Sequence, residues 1–311
     1  MQQRPYKQVD VFTATPYFGN PLAVVLSASG LTDEDMQRFA RWTNLSETTF
    51  ILPPTQGAAD YRLRIFTPGG ELPFAGHPTL GSCHAWLEAG GQPKSRHFIV
   101  QECAKGLINI RRDASKARLA FAAPSLTHSA PGPVVLAQVA SALGLKAAQI
   151  TAAQLLDNGP VWLSLLLDSP DTVVQLMPNH QELAKLGIKV GVAGIYTTPS
   201  SPLIAKANRE AKAFTQSESA ATPDLEENFE PNLEVRAFAA CNGINEDPVT
   251  GSLNASLAQW LMADELMPQH YSASQGVCMG RAGQVDLQRD ADGQVWVGGQ
   301  SVTCINGTVM L

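Results

Sequence analysis

Charge is scarce in this chain: of 311 residues only 16% are Asp, Glu, Lys or Arg, while 44% are hydrophobic. That balance excludes global disorder and leaves apolar material for one or two sizeable cores, with about two domains expected from length. There is no run of Lys or Arg and the net charge is -6, so a nucleic-acid partner is not expected and small molecules are the better candidates. The longest apolar stretches, such as Val161 to Leu167, are far too short for a membrane span. The opening residues Met1 to Tyr6 hold no apolar signal-peptide core, and we expect a soluble, unexported protein. Five cysteines (Cys83, Cys103, Cys241, Cys278, Cys304) include no Cys-x-x-Cys. Their odd number fits reduced thiols and a cytoplasmic location better than disulfides or a zinc site. No Gly-x-Gly-x-x-Gly follows a strand, so the sequence calls for no nucleotide cofactor, nor for any other.

What is present is a repeat. Glu71-Leu72-Pro73-Phe74-Ala75-Gly76-His77 aligns without a gap to Glu246-Asp247-Pro248-Val249-Thr250-Gly251-Ser252, about 175 residues later. The pattern is Glu, any residue, Pro, apolar, small, Gly, polar. An Arg-x-Phe strand end precedes each copy, Arg64 to Phe66 and Arg236 to Phe238, and a helix-like stretch comes after each. A whole strand, loop and helix is therefore repeated, which predicts two similar halves.

Segments rich in β-branched and aromatic residues predict strands at Val9–Thr13, Ala23–Leu26, Thr48–Leu52 and Tyr61–Phe66 in the first half. Thr32 is placed to cap a helix with Met36, Phe39 and Ala40 on one face. Helices are expected over Pro78–Glu88 and Leu253–Asp264; both are poor in charge and rich in small residues, the pattern of a buried helix. Pro124 to Pro133 reads as a break between the halves. Beyond it we expect a helix at Val134–Leu143, strands at Gln154–Leu156, Val161–Leu167, Val173–Leu176 and Val190–Tyr196, and a helix at His180–Gly187. Pro199 to Pro231 is polar and aperiodic and reads as a long loop or lid. Asp292-Gly293 marks a hairpin turn between closing strands.

Each repeat puts a small residue and a Gly where a loop becomes a helix, and the first N–H groups of such a helix form an anion site. His77 is the best candidate for proton work, since imidazole titrates near neutral pH. Asp247 and Ser252 fit either a working site or ordinary turn and capping duties. A Ser252–His77–Asp247 hydrolase triad fails on context, because Thr250-Gly251-Ser252-Leu253-Asn254 is not Gly-x-Ser-x-Gly. Metal binding fails too, since no ligand stands at suitable spacing from His77 or His84.

Several segments taken together resemble the phenazine-biosynthesis isomerase family (PhzF-like proteins), whose fold is shared with diaminopimelate epimerase. They are Val9-Asp10-Val11-Phe12 with Gly19-Asn20-Pro21, Asn44-Leu45-Ser46-Glu47-Thr48, Phe66-Thr67-Pro68 with Gly76-His77-Pro78, Glu246 to Ser252, and the Gln275-Gly276 and Gly280-Arg281 segment. The resemblance implies an α+β fold of two pseudo-symmetric domains, each a mixed β-barrel around a central helix. Residues 1–124, joined by the last C-terminal strand, would form one and 125–311 the other, with the active site in the cleft between them. The family's catalytic glutamate falls on Glu47, and its supporting histidine, aspartate and serine on His77, Asp247 and Ser252. Asn20, Ala75, Gly76, Thr250 and Gly251 are the implied substrate contacts.

Relatives that racemise through two thiols carry a Cys just before the helix-start Gly in each half; here those positions are Ala75 and Thr250. The resemblance thus implies a cofactor-independent isomerase that moves a proton and a double bond on a small carboxylated metabolite, as a homodimer. The rivals are an epimerase or racemase of a small amino or hydroxy acid, and a non-catalytic small-ligand-binding protein.

Overall fold

A computed structural model describes residues 1–113, 118–196 and 229–311. The chain divides into two compact units, residues 1–123 with 289–311, and residues 124–288. The loop or lid expected at 199–231 falls, apart from 229–231, outside the described residues.

The first unit is a closed eight-stranded barrel. Its strands are β1 (Gln3–Val11), β2 (Asn20–Val25), β3 (Thr48–Leu52), β4 (Tyr61–Thr67), β6 (Phe98–Cys103), β7 (Gly106–Asp113), β8 (Arg118–Ala122) and a C-terminal strand, Val295–Met310; the short β5 (Gly70–Leu72) lies on β4. Going round, β1 pairs with β2, β2 with β3, β3 with β4, β4 with β6, β6 with β7 and β7 with β8. The C-terminal strand closes the ring: Trp296–Gln300 pairs with β8, and Ser301–Met310 with β1. Residues 289–311 belong to the first unit for that reason, although the chain reaches them last.

The second unit carries β9 (Thr127–Ser129), β10 (Ile150–Asp157), β11 (Val161–Leu167), β12 (Lys189–Ile195), β13 (Leu233–Ala239), β14 (Ile244–Asp247), β15 (His270–Gln275) and β16 (Gly283–Arg289). Its pairing repeats the first unit step for step. β2 runs parallel to β3, β3 antiparallel to β4, and β4 parallel to β6; likewise β11 runs parallel to β12, β12 antiparallel to β13, and β13 parallel to β15. β5 lies on β4 as β14 lies on β13.

Inside each unit runs a helix of 13 residues, Gly76–Glu88 or Gly251–Ala263. Neither has a polar face, because each is enclosed: nine residues of the first and ten of the second are buried. Small residues permit the close approach. A Cβ at Gly81 would lie 2.7 Å from both Leu22 Cδ2 and Val11 Cγ2. In the second unit the glycine is on the strand, where a Cβ at Gly191 would stand 2.4 Å from Leu253 Cδ1.

One expected strand is a helix. Val173–Leu176 is β-prone in composition, yet Pro170–Gln175 is helical, because Ser169 Oγ accepts from Thr172 N at 3.1 Å and Pro170 occupies the first turn. The helix Asp33–Thr43 obeys its signals: Thr32 and Asp35 form a capping box, and Met36, Phe39 and Ala40 are buried.

Candidate active site

The chemistry of the first unit is built where three elements begin or end. The helix Asp33–Thr43 is stopped by Asn44, whose left-handed backbone (φ 54°) turns the chain into Leu45-Ser46-Glu47. Thr43 and Thr48 share a hydroxyl hydrogen bond of 2.8 Å across this loop, and Thr48 already lies in β3. Glu47 is thus held at a strand entrance, its side chain 15% exposed. His77, second residue of the Gly76 helix, brings Nε2 to 3.5 Å from Glu47 Oε2 with 6% of its side chain exposed. Asn20, buried at the start of β2, places Nδ2 3.5 Å from His77 Nδ1, and Ser46 Oγ donates to its Oδ1 at 3.5 Å. Asn20 and Glu47 thus face the two ring nitrogens of His77, Nδ1 and Nε2 respectively. Gly19 has no room for a side chain, since a Cβ would lie 2.2 Å from Val11 O. That close crossing fixes where Asn20 emerges.

Ala75 precedes this helix in an extended conformation and no side chain caps the start. The second start is likewise without a side-chain cap, and neither Gly76 nor Gly251 has a left-handed backbone. The glycines are therefore not demanded by a turn.

In the second unit Asp247 ends β14 and accepts from Thr250 Oγ1 at 2.6 Å. Ser252, second residue of the Gly251 helix, accepts at Oγ from Trp162 Nε1 at 3.1 Å. Asn158 Nδ2 donates to Ser252 O at 3.0 Å. The echo between Gly19-Asn20-Pro21 and Asn158-Gly159-Pro160 has a physical counterpart: in both units an asparagine from that segment reaches the second residue of the central helix. Gln275, Asn254 and Trp162 contact this loop, and sequence reasoning does not single them out as site residues. Gln275-Gly276 enters it only as part of a resemblance, and a buried amide gives no pattern of its own.

The Glu and the Arg-x-Phe of each repeat are structural. Arg64 grips Glu71 through two hydrogen bonds of 2.7 and 2.6 Å, and Arg236 grips Glu246 at 2.9 and 2.8 Å. Each guanidinium also covers its Phe, at 5.0 Å for Phe66 and 5.1 Å for Phe238. The clasp ties β4 to β5 and β13 to β14, the strands that lead into each loop and helix.

Among the described residues no group of three or more His, Cys, Asp or Glu could hold a metal ion, and no helix is long and apolar enough to cross a membrane. Cys83 is fully buried and its thiol is pushed up to about 12 by desolvation, so it is no nucleophile.

A buried 13-residue helix within a mixed sheet, twice over, with polar side chains gathered at each helix start, is the diaminopimelate epimerase-like fold, shared with a probable proline racemase of Agrobacterium radiobacter at a TM-score of 0.56 and 11% identity over 99% of this chain and 93% of that one. Similarity to known proteins narrows it. The family described as phenazine biosynthesis-like protein matches residues 9–307. The chain is similar to antisense-enhancing sequence 1 of Schizosaccharomyces pombe, with 34% identity over 99% of each chain. It is also similar to the trans-2,3-dihydro-3-hydroxyanthranilate isomerase of Pseudomonas aeruginosa, with 30% identity over 93% of this chain and 91% of that one. A phenazine biosynthesis protein of the PhzF family from Bacillus anthracis has the same fold, with a TM-score of 0.79 over the whole of both chains at 21% identity. The chain belongs to the phenazine biosynthesis-like (PhzC-PhzF) family and is an isomerase or epimerase of that family.

Proposed function

We propose that this enzyme moves one proton and one double bond on a small carboxylated metabolite, with Glu47 as its single acid/base. The observation that carries the reading is an asymmetry within the repeat. Thr48 pairs with Ala23 on one side and Phe66 on the other, and the matching pairs in the second half, Lys189 with Trp162 and Val190 with Phe238, put Ile188 or Lys189 at the place of Glu47, neither of them a carboxylate. The residues before the two helix-start glycines are Ala75 and Thr250, neither of them a thiol. Two matched bases facing a stereocentre are not available, which disfavours the epimerase reading.

The ionised Glu47 takes a proton from carbon, the C–H electron pair becomes a new double bond, and the old double bond opens toward its far carbon. That carbon takes the proton back from the Glu47 carboxylic acid. His77, whose Nε2 lies 3.5 Å from Glu47 Oε2, stands beside the carboxyl group that moves the proton. His77, Asp247 and Ser252 are assigned to orienting substrate or relaying protons. Each uncapped helix start, at Gly76 with Ala75 and Asn20 in the first unit and at Gly251 with Thr250 in the second, suits a carboxylate. No cofactor takes part in these steps. The P. aeruginosa relative's name specifies a carboxylated ring substrate, which supports this class. A cytoplasmic homodimer is part of the proposal, and sedimentation tests the dimer.

The reaction class is tested by incubating the enzyme with trans-2,3-dihydro-3-hydroxyanthranilate and a panel of unsaturated carboxylates in D2O. Double-bond migration, with any solvent deuterium confined to the receiving carbon, is expected. Interconversion of amino-acid or hydroxy-acid enantiomers with exchange at the α-carbon would favour the epimerase instead. Binding without turnover or exchange would favour the ligand-binding protein.

A further inference from the structure

The repeat supplies an internal control for the loop that carries Asp247. By motif and by strand register, Leu72, Ala75, Thr79 and Cys103 stand where Asp247, Thr250, Asn254 and Gln275 stand. Tyr61 pairs with Gln101 as Leu233 pairs with Ala273, and Cys103 pairs with Gly106 as Gln275 pairs with Gly283. The first half folds the same strand, loop and 13-residue helix with Leu and Ala at the places of Asp247 and Thr250. The backbone therefore does not require the polar network that the second half has built.

That network is complete at its centre. Gln275 is fully buried at the end of β15. Its Nε2 donates to Asp247 O at 3.0 Å and to Thr250 Oγ1 at 2.9 Å. Its Oε1 accepts from Thr250 N at 3.0 Å and from Asn254 Nδ2 at 2.8 Å. Both protons and both lone pairs of the amide are used. Gly276 and Gly283 let the strand ends lie this close, since a Cβ would stand 2.7 Å from Pro248 O at the first and 2.3 Å from Val249 Cγ2 at the second.

A hydroxyl has one proton to give. Because Gln275 Nε2 already donates into Thr250 Oγ1, the proton of Thr250 goes to Asp247 Oδ2, 2.6 Å away. We propose that Gln275 is a positioning residue: through Thr250 it presents the Asp247 carboxylate in one orientation, always as an acceptor. Its importance to turnover rests on the proposed assignment of Asp247 to the working site.

The test uses Gln275→Glu, which keeps the shape and the acceptor oxygen but replaces the donor with a second acceptor. The Thr250 hydroxyl then turns to residue 275, and Asp247 loses the Thr250 hydrogen bond. In crystals of this variant the Asp247 Oδ2 to Thr250 Oγ1 separation should open beyond hydrogen-bond range with the Gly251 helix unmoved. Thr250→Val, which removes the hydroxyl outright, should turn the carboxylate in the same way and decides the matter where the first variant does not fold. A carboxylate that keeps its wild-type position in Thr250→Val, or a contact that persists in Gln275→Glu, overturns the proposal. In turnover assays Gln275→Glu should lose roughly ten- to a hundredfold in kcat, as misplacement of a contacting group does. It should lose nothing further in an Asp247→Asn background, whereas a further loss there would show a merely structural residue and overturn the proposal. Full activity of Asp247→Asn, with the carboxylate of Gln275→Glu turned as expected, would leave the positioning intact and refute the site assignment.

Discussion

The place of Glu47 is taken in the second half by Ile188 or Lys189, according to which neighbouring strand sets the register, and never by a carboxylate; at residue scale that difference is the substance of the functional reading. From the residues alone Glu47 is hard to see: a Glu after Asn-Leu-Ser looks like a solvated turn, and only resemblance to a family raises it. His77 is visible because an imidazole, which titrates near neutral pH, stands in a Gly- and Pro-rich loop at a helix start. The paired arginines are visible as a motif, although their purpose is not. Their burial ranks their importance. Arg236 and Glu246 are 5% and 10% exposed, against 16% and 36% for Arg64 and Glu71. Arg236→Met leaves Glu246 buried without its partner and should destabilise by about 3–5 kcal/mol. Arg64→Met should cost about 1 kcal/mol or less, because water reaches Glu71. Denaturant unfolding of the two variants, read at constant m, checks the order; equal losses would refute it.

At the scale of elements, helices with strong end signals are legible. Thr32 with Asp35, and Pro133 at the first turn of Pro133–Leu143 with Gly144 after its end, mark boundaries that local hydrogen bonding enforces. The segment Val173–Leu176 shows the converse: its Val-Val pair suggests a strand, but Ser169 and Pro170 together start a helix whatever the β-propensity of the residues after them. Both central helices are recognisable as buried from composition, because a helix lacking charge has no face to offer water. Their fit to the barrel wall is not legible, since it depends on strands far away in sequence. Gly81→Ala tests that fit. Ala gains about 1 kcal/mol in helix propensity, yet its methyl would enter the fully buried Leu22 and Val11 at 2.7 Å. Overpacking of this kind costs about 1–3 kcal/mol, so a net loss is expected in thermal or denaturant unfolding. A stabilised variant would mean that the helix and β2 do not touch as described.

Across the whole molecule, the duplication is the most legible feature, and the structure extends it from seven residues to the strand pairings of both units. The path of the last strand is less so, because closing a barrel with residues from the far end of the chain leaves no local signal. One buried carboxyl makes a global prediction. Glu234 is 1% exposed in β13, accepts from Tyr196 OH at 3.0 Å, and burial raises its carboxyl to about 8. In the unfolded chain it would titrate near about 4.3. Between those values the folded protein holds a proton that the unfolded chain releases, so stability falls as pH rises through this window and levels off above about 8. Each such proton contributes a slope of up to about 1.4 kcal/mol per pH unit. Melting temperatures at about pH 5.5, 6.5 and 7.5, inside that window, should fall more steeply for the wild type than for Glu234→Gln; parallel profiles would contradict the linkage.

Two copies of a scaffold with a base in one of them is the central claim, and Glu47→Gln tests it most directly. The amide keeps shape and hydrogen bonding but cannot carry the proton. Turnover should fall by roughly 10² to 10⁴, the usual contribution of general acid/base catalysis, with ligand binding largely retained. Alkylation of the cysteines should spare the wild type. Full activity of Glu47→Gln on a substrate the wild type isomerises, or loss of turnover on mild alkylation without unfolding, would contradict the account and point to a thiol.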